Sequence, residues 1–384
     1  MRGASCPRGS ARDRPRYELA DLARSAAAEL VHSHALTPEQ QRVLSDITRC
    51  RTAALGGHLE VCRDCGLERP VYDSCCNRHC PKCQALAAQR WLDRRLDRLL
   101  DTHYFHVTFT LPAELRGFAR VHPELVYDLL FQAATSTLLE LGRDPHWLGA
   151  QLGITAVLHT WSRKLHLHPH LHCVVSGGGL SPDQQRWLSA PADFLFPVKV
   201  AGALFRGKFL DALGDRLDPA LRDRLYRCRW IVDCRPPFGS AEHVLKYLGR
   251  YTHRVGISNH RLLRVSDGTV TFRTRHRQSE TCSAVEFLRR FLRHVLPRGF
   301  VRIRHYGLLA SRNVPTRLAQ AQRCVLAGKT FTPRRLRRRP ADWRSWYHKL
   351  TRVDLRRCPR CGHGDIERRP LPRARPPPCA QVTP

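Results

Sequence analysis

The chain has 384 residues, 42% of them hydrophobic, enough to bury a sizeable core spread over two or three domains. Its 65 basic residues against 33 acidic ones leave a net charge of +32, too basic for a metabolic enzyme and suited to a partner rich in phosphate. Arginine outnumbers lysine 58 to seven, a genomic bias that explains the choice of cation but not the excess of cations.

Six of the sixteen cysteines fall in three CxxC pairs, and neither a signal-peptide core nor a membrane-length apolar run is visible, so a reducing cytoplasm, beside the nucleoid, is expected. Residues 1–15 are polar and read as disordered. Helices are expected at 16–33 and 38–49, the second opened by Thr37 and Pro38, with Gln40 placed to close a capping box on Thr37. Cysteines crowd 50–83, and Ala85 to Asp101 reads as helix, so 16–101 forms a helical arm with a zinc-binding ribbon. From 103 strands and helices alternate: strand 103–111, helix 123–142, strands 154–161 and 170–176, a strand over 194–200, and helix 201–213. A strand at 230–234, a helix at 240–254, a hairpin at 262–275 about Asp267-Gly268 and a helix at 285–295 follow. Hairpins in this mixed order predict an α+β domain over 102–315 with an antiparallel sheet. Residues 316–384 form a basic, proline-rich extension.

Cys62-x2-Cys65 and Cys80-x2-Cys83 are separated by fourteen residues, the pattern of a four-cysteine structural zinc site. Cys75 and His79 are the best candidates for a second ion. A later knuckle, Cys358-x2-Cys361, has no matching pair beside it, with His363 and Cys379 as possible partners.

The segment 164–175 alternates, placing His166, His168, His170 and His172 on one face. Pro169 cannot donate to a ladder, so the paired strand is expected to begin after it, which singles out His170 and His172. His159 ends the preceding strand, and a hairpin would bring it beside the pair as third ligand of a divalent ion. Three neutral imidazoles leave such an ion its charge and open positions for phosphate oxygens. Tyr247 and Tyr251, four apart on a predicted helix, share a face among Lys246, Arg250 and Arg254. A phenol of pKa about 10 needs such positive charge to become a usable nucleophile. On its own, that spacing also fits an ordinary core stripe.

The segments CRTAALGGH (50–58), CNRHCPKCQ (76–84), VLHTW (157–161) with HPHLHC (168–173), YLGRYTHRVGISNHRL (247–262) and GFVRIRHYGLLASR (299–312) closely resemble the rolling-circle insertion-sequence transposases. The resemblance covers about 16–315. It implies a zinc-binding domain joined to a two-tyrosine nuclease of the His–hydrophobic–His class, with a ferredoxin-like palm. Carried residue by residue, it makes His170 and His172 ligands of Mg²⁺ or Mn²⁺ and Tyr247 and Tyr251 the nucleophiles. His159 is not fixed by the motif. Attack by a tyrosinate would leave a 3′-hydroxyl and a 5′-phosphotyrosine, with no nucleotide cofactor. The expected partners are single-stranded DNA and terminal DNA hairpins, gripped by Arg264, Arg273, Arg275, Arg302 and Arg304. The alternatives are an inactive zinc-ribbon DNA-binding regulator and a replication initiator, although no GxxxxGK[ST] motor motif is present.

Overall fold

The computed structural model describes residues 15–235, 256–275, 278–327, 340 and 342–374. Helices α1 (Leu19–Ser33) and α2 (Pro38–Arg49) open the described chain. At the start of α2 the Thr37 hydroxyl accepts from the Gln40 amide at 3.3 Å, and Gln40 Oε1 accepts from the Thr37 amide at 3.0 Å. Next come the hairpin β1 (Gly57–Cys62) and β2 (Glu68–Tyr72), helix α3 (Gln84–Leu96) and strand β3 (Tyr104–Thr110). Helices α4 (Arg116–Val121) and α5 (Pro123–Arg143) precede strands β4 (Gln151–Trp161), β5 (Leu167–Leu180) and β6 (Trp187–Ser189). Then follow α6 (Val198–Leu213), α7 (Pro219–Arg227) and β7 (Ile231–Arg235). Beyond residue 255 lie β8 (Leu262–Ser266), β9 (Thr269–Arg273), β10 (Ser279–Ser283), α8 (Ala284–Leu292) and β11 (Ile303–Gly307). The described chain ends with α9 (Ala319–Leu326), α10 (Trp343–Thr351) and β12 (Ile366–Leu371).

Every pairing among the described strands is antiparallel, in three sheets: β12-β1-β2, β10-β9-β8, and a central β11-β4-β5-β3-β7 with β6 at one end of β5. Helices and antiparallel sheets together make the α+β class. None of the described helices is long and apolar enough to cross a membrane.

Alternation along the central strands decides which face is covered. Phe105, Val107 and Phe109 of β3 and Leu171, Cys173 and Val175 of β5 point to one side, where α5 and α6 supply Phe131, Phe205 and Phe209. Each aromatic ring buried there contributes on the order of 1.5–3 kcal/mol. The opposite face carries His106, Thr108, Thr110, His170 and His172, and it remains open to the site.

A second core joins α1 and α2 to the far part of the chain: Leu19, Leu22, Leu30 and Ile47 pack with Ile257, Phe272, Phe287 and Phe291. The helical arm therefore shares its core with the hairpin β8–β9 and α8, and not with a ribbon alone. The hairpin turn has Asp267 at φ 50° and Gly268 at φ 69°, the left-handed pair that a two-residue connection needs.

Three expected details differ. Residues 190–197 form no strand; Leu195 and Phe196 plug the core as a loop, and α6 begins at Val198 with Pro197 before it. Strand β5 starts at Leu167, ahead of Pro169. The ladder with β4 jumps from His159 opposite His170 to Trp161 opposite Leu167, so Pro169 sits in a bulge where its missing N–H breaks no rung. The extension after 316 is not separate: β12 adds to β1 over six residue pairs, from Gly57–Leu371 to Cys62–Ile366.

Candidate active site and metal centres

Strands β4 and β5 are joined by a tight turn in which the Ser162 amide donates to the His166 carbonyl at 2.9 Å. Folding back sets His159 opposite His170 in the ladder. His159, His170 and His172 bring one ring nitrogen each to within 4.8 Å of one another. Around one ion with bonds of about 2.0–2.1 Å the nitrogens would stand roughly 2.9–3.4 Å apart, so the three rings converge and a modest inward shift would let them hold one ion. Their ring centroids lie 4.5 Å (His159–His172), 4.8 Å (His170–His172) and 5.4 Å (His159–His170) apart.

The other ring nitrogens are engaged in ways that fix the orientation. His170 Nδ1 donates to the His168 carbonyl at 2.7 Å, leaving Nε2 with the lone pair. His172 Nδ1 meets His106 Nε2 at 2.9 Å and Thr108 Oγ1 at 3.3 Å. Contacts of this kind hold a ligating imidazole in one tautomer. His159 is stacked on Trp161, with centroids 4.9 Å apart and planes 21° from parallel. Burial lowers His170 to about 4 and His172 well below the ordinary value, so both are neutral at pH 7, the form that ligates. His168, which also faces this way, stands outside the converging set.

Above the triad lies a cleft of 710 Å³. Its walls include Arg116, Arg163, Lys164, Arg235, Arg261 and Arg275, and Asp233 is the only acid among its described lining residues. Such a concave basic site attracts a polyanion. Arg235 and Gly256, the last and first described residues on either side of 236–255, both line it. Tyr247, Tyr251, Lys246, Arg250 and Arg254 fall within that interval and lie outside the described residues.

The remaining basic candidates divide. Arg264 and Arg273 are exposed on the hairpin but do not line the cleft, whereas Arg275 does. Arg302 is corrected to an interior position: it is 9% exposed, beside Arg78 and His79, and burial lowers its guanidinium to about 10, with Arg78 adding to the effect. Arg304 is committed as well, ion-paired to Asp128 at 2.5 Å and lying 4.2 Å from the Phe131 ring centroid. Arg304 belongs to packing of the edge strand against α5, whereas Arg302, just ahead of that strand, is buried beside the zinc-binding segment.

The cysteines regroup. Cys80 and Cys83 meet Cys50 and Cys75, whereas Cys62 and Cys65 meet Cys358 and Cys361. The expected quartet Cys62–Cys65–Cys80–Cys83 is therefore corrected, for a physical reason. A hairpin strand advances about 3.3 Å per residue, so β1 and β2 carry the first knuckle to a tip roughly 20 Å from the base where Cys80 lies. At that base Cys50 Sγ is 3.3 Å from Cys83 and 3.6 Å from Cys80, and Cys75 is 3.7 Å from Cys83. Bonds of about 2.3 Å in a tetrahedral ZnS4 unit put sulfurs about 3.8 Å apart, so this quartet fits structural zinc. His79 is corrected too: it is buried away from the sulfurs, pushed down to about 3 by burial and by Arg78, Arg302 and His294. Cys50, one of the residues around the knuckles that could serve a second ion, joins this quartet instead, and His106 is a residue that local spacing missed. The His-x-Thr-x-Thr polar face of β3 is the signal that would have found His106.

The family of transposase zinc-binding domains matches residues 22–111, and a family described as "putative transposase" matches 153–316. A "putative transposase" of Sinorhizobium fredii is 44% identical over 375 residues, 91% of this chain and 94% of that protein. The transposase for insertion sequence element IS801 of Pseudomonas savastanoi pv. phaseolicola is 27% identical over 306 residues, 74% of each chain. No solved structure gives a significant match. Matched in both its zinc-binding and its central parts, and across 91% of its length by a close relative, the chain belongs to the rolling-circle insertion-sequence transposases with an N-terminal zinc-binding domain.

Proposed function

We propose that this transposase cuts and rejoins single-stranded DNA through transient 5′-phosphotyrosine bonds. Tyr247 and Tyr251 are the nucleophiles, and His159, His170 and His172 hold Mg²⁺ or Mn²⁺. The observation that carries the reading is the converging triad of His159, His170 and His172 in a basic cleft that both Arg235 and Gly256 line. The central sheet, with α5 and α6 behind it, then serves as the nuclease palm.

When bound, the ion supplies Lewis-acid polarisation of the scissile phosphate. The chain does the rest. Arg116 and Arg275 draw the strand into the cleft and hold its backbone, and Trp161 offers an aromatic face beside the triad. Lys246, Arg250 and Arg254 favour the tyrosinate over the phenol. The Tyr Oη–phosphorus bond forms as the phosphorus–O3′ bond breaks; the phenol proton is released and the departing 3′-oxygen gains one. One ester replaces another, so the reverse reaction can join a new 3′-end without an external energy source. A second tyrosine allows a second cleavage before the first is resolved. An unpaired strand, or a terminal hairpin with unpaired flanks, is the substrate, since in-line attack needs a phosphate bent out of duplex geometry.

The test is a pair of substitutions. His170→Ala and His172→Ala should abolish metal-dependent nicking of a labelled single strand while leaving its binding within about twofold of the parent. Nicking retained at the parent rate in both variants would mean that the triad serves no catalytic ion. Binding without nicking by the parent protein would favour a regulator.

A further inference from the structure

We propose that Cys62, Cys65, Cys358 and Cys361 bind a second zinc ion, which clasps the C-terminal segment onto the N-terminal hairpin. Cys65 and Cys358 are 293 positions apart, and neither family match extends to the C-terminal pair.

Sulfur geometry is the first support. Cys62 Sγ lies 3.6 Å from Cys361 Sγ, and Cys65 Sγ lies 3.6 Å from Cys358 Sγ. A disulfide would need about 2.05 Å, whereas a ZnS4 edge is about 3.8 Å. Thiolate-only sites of this shape favour zinc.

Local backbone geometry is the second. The two knuckles, Cys62-Arg63-Asp64-Cys65-Gly66 and Cys358-Pro359-Arg360-Cys361-Gly362, are built alike. Gly66 has φ 67° and Gly362 has φ 79°, left-handed positions that let the chain turn back after each second cysteine. The Gly66 amide donates to the Cys62 carbonyl and the Gly362 amide to the Cys358 carbonyl, both at 2.9 Å. The Arg360 amide points at Cys358 Sγ at 3.4 Å, and the Leu67 and His363 amides donate to Cys65 and Cys361. Amide donors on three of the four sulfurs stabilise thiolates.

The third support lies outside the sulfurs. The Arg63 amide donates to the Asp365 carbonyl at 3.1 Å, which locks the knuckles tip to tip. Glu60 of β1, 5% exposed, pairs with Arg69 of β2 at 2.6 Å and Arg368 of β12 at 3.1 Å, so one buried carboxylate ties all three strands. Strand pairing and charge thus bring the second knuckle to the first in register. The exposed Asp64 and His363 flank the quartet and remain outside it.

Cobalt titration of the metal-stripped full-length chain should show two equivalents of tetrahedral thiolate absorption; one equivalent would overturn the proposal. Cys358→Ser with Cys361→Ser should hold one zinc fewer than the parent, and an unchanged zinc count would also overturn it. Because those variants could misfold, residues 332–339 can instead be replaced by a site for a specific protease in the otherwise intact protein. After cutting, the C-terminal fragment should co-elute with the remainder in zinc and separate when a thiol-directed mercurial strips the metal. Separation in zinc, or co-elution after the metal is stripped, would contradict a metal clasp.

Discussion

Replacing His106 by Ala tests how the triad is held in place. His106 is 3% exposed, and its Nε2 lies 2.9 Å from Nδ1 of His172. It thereby fixes which His172 nitrogen faces His159 and His170. Removing such an outer partner typically weakens metal affinity 10–100-fold, about 1.4–2.8 kcal/mol. Two features decide where in that range the effect falls. Thr108 Oγ1, at 3.3 Å from the same nitrogen, remains as a partner and offsets part of the loss. The ring of His172 also loses the stacked His106 ring, centroid 5.0 Å away, and gains room to rotate. We therefore expect a loss of about tenfold in His106→Ala and about a hundredfold when Thr108→Val is added. Calorimetric titration with Mn²⁺ measures it directly, and the Mn²⁺ concentration for half-maximal nicking should shift in step. Unchanged affinity in the double variant would refute the orienting role.

Arg275→Ala should lower the salt dependence of single-strand binding by about 0.7 in log–log slope, as for one lost phosphate contact, whereas Arg304→Ala should leave the slope unchanged and lower the melting temperature. The reverse pattern would return Arg304 to the DNA interface. Glu60→Gln should destabilise the β12-β1-β2 sheet by about 2–3 kcal/mol, below the 3–5 of a fully buried broken pair because its arginine partners are partly solvated; amide exchange in β12 should rise, and unaltered exchange would contradict the pairing. Burial holds His294 at about 4 and His305 at about 3, below the ordinary 6.5. The unfolded chain then takes up more protons as pH falls below 6.5, so stability is full above that value and declines toward the folded values. Melting temperature should fall between pH 7 and 5, less steeply in His294→Gln, and a flat profile would contradict neutral burial.

What is legible in the sequence is what short-range periodicity encodes. Alternation across 166–172 and a short return from His159 suffice to bring His159, His170 and His172 together, because antiparallel register follows from the turn. The hairpin about Asp267-Gly268 and the Thr37–Gln40 cap are legible for the same local reason. The cysteine partners are not. Fourteen residues between knuckles suit a ribbon, but β1 and β2 extend that interval and separate its ends, and the actual partners of Cys62 and Cys65 come from the far end of the chain. Nor does charge reveal that Arg302 is buried and that Arg304 is taken up by Asp128, since both depend on what packs around β11. Pro169 misleads about the strand start because a bulge in the partner ladder absorbs it.

The most direct measurement of the mechanism uses a suicide oligonucleotide carrying the element's target site, whose 3′ leaving segment diffuses away after cleavage. The account predicts a covalent adduct through the 5′-phosphate, mapped by peptide sequencing to Tyr247 or Tyr251. It also predicts partial cleavage with either single Phe substitution, and no adduct with both, although DNA still binds. Cleavage at the parent rate by the doubly substituted protein would contradict it, because water or another side chain would then be the nucleophile.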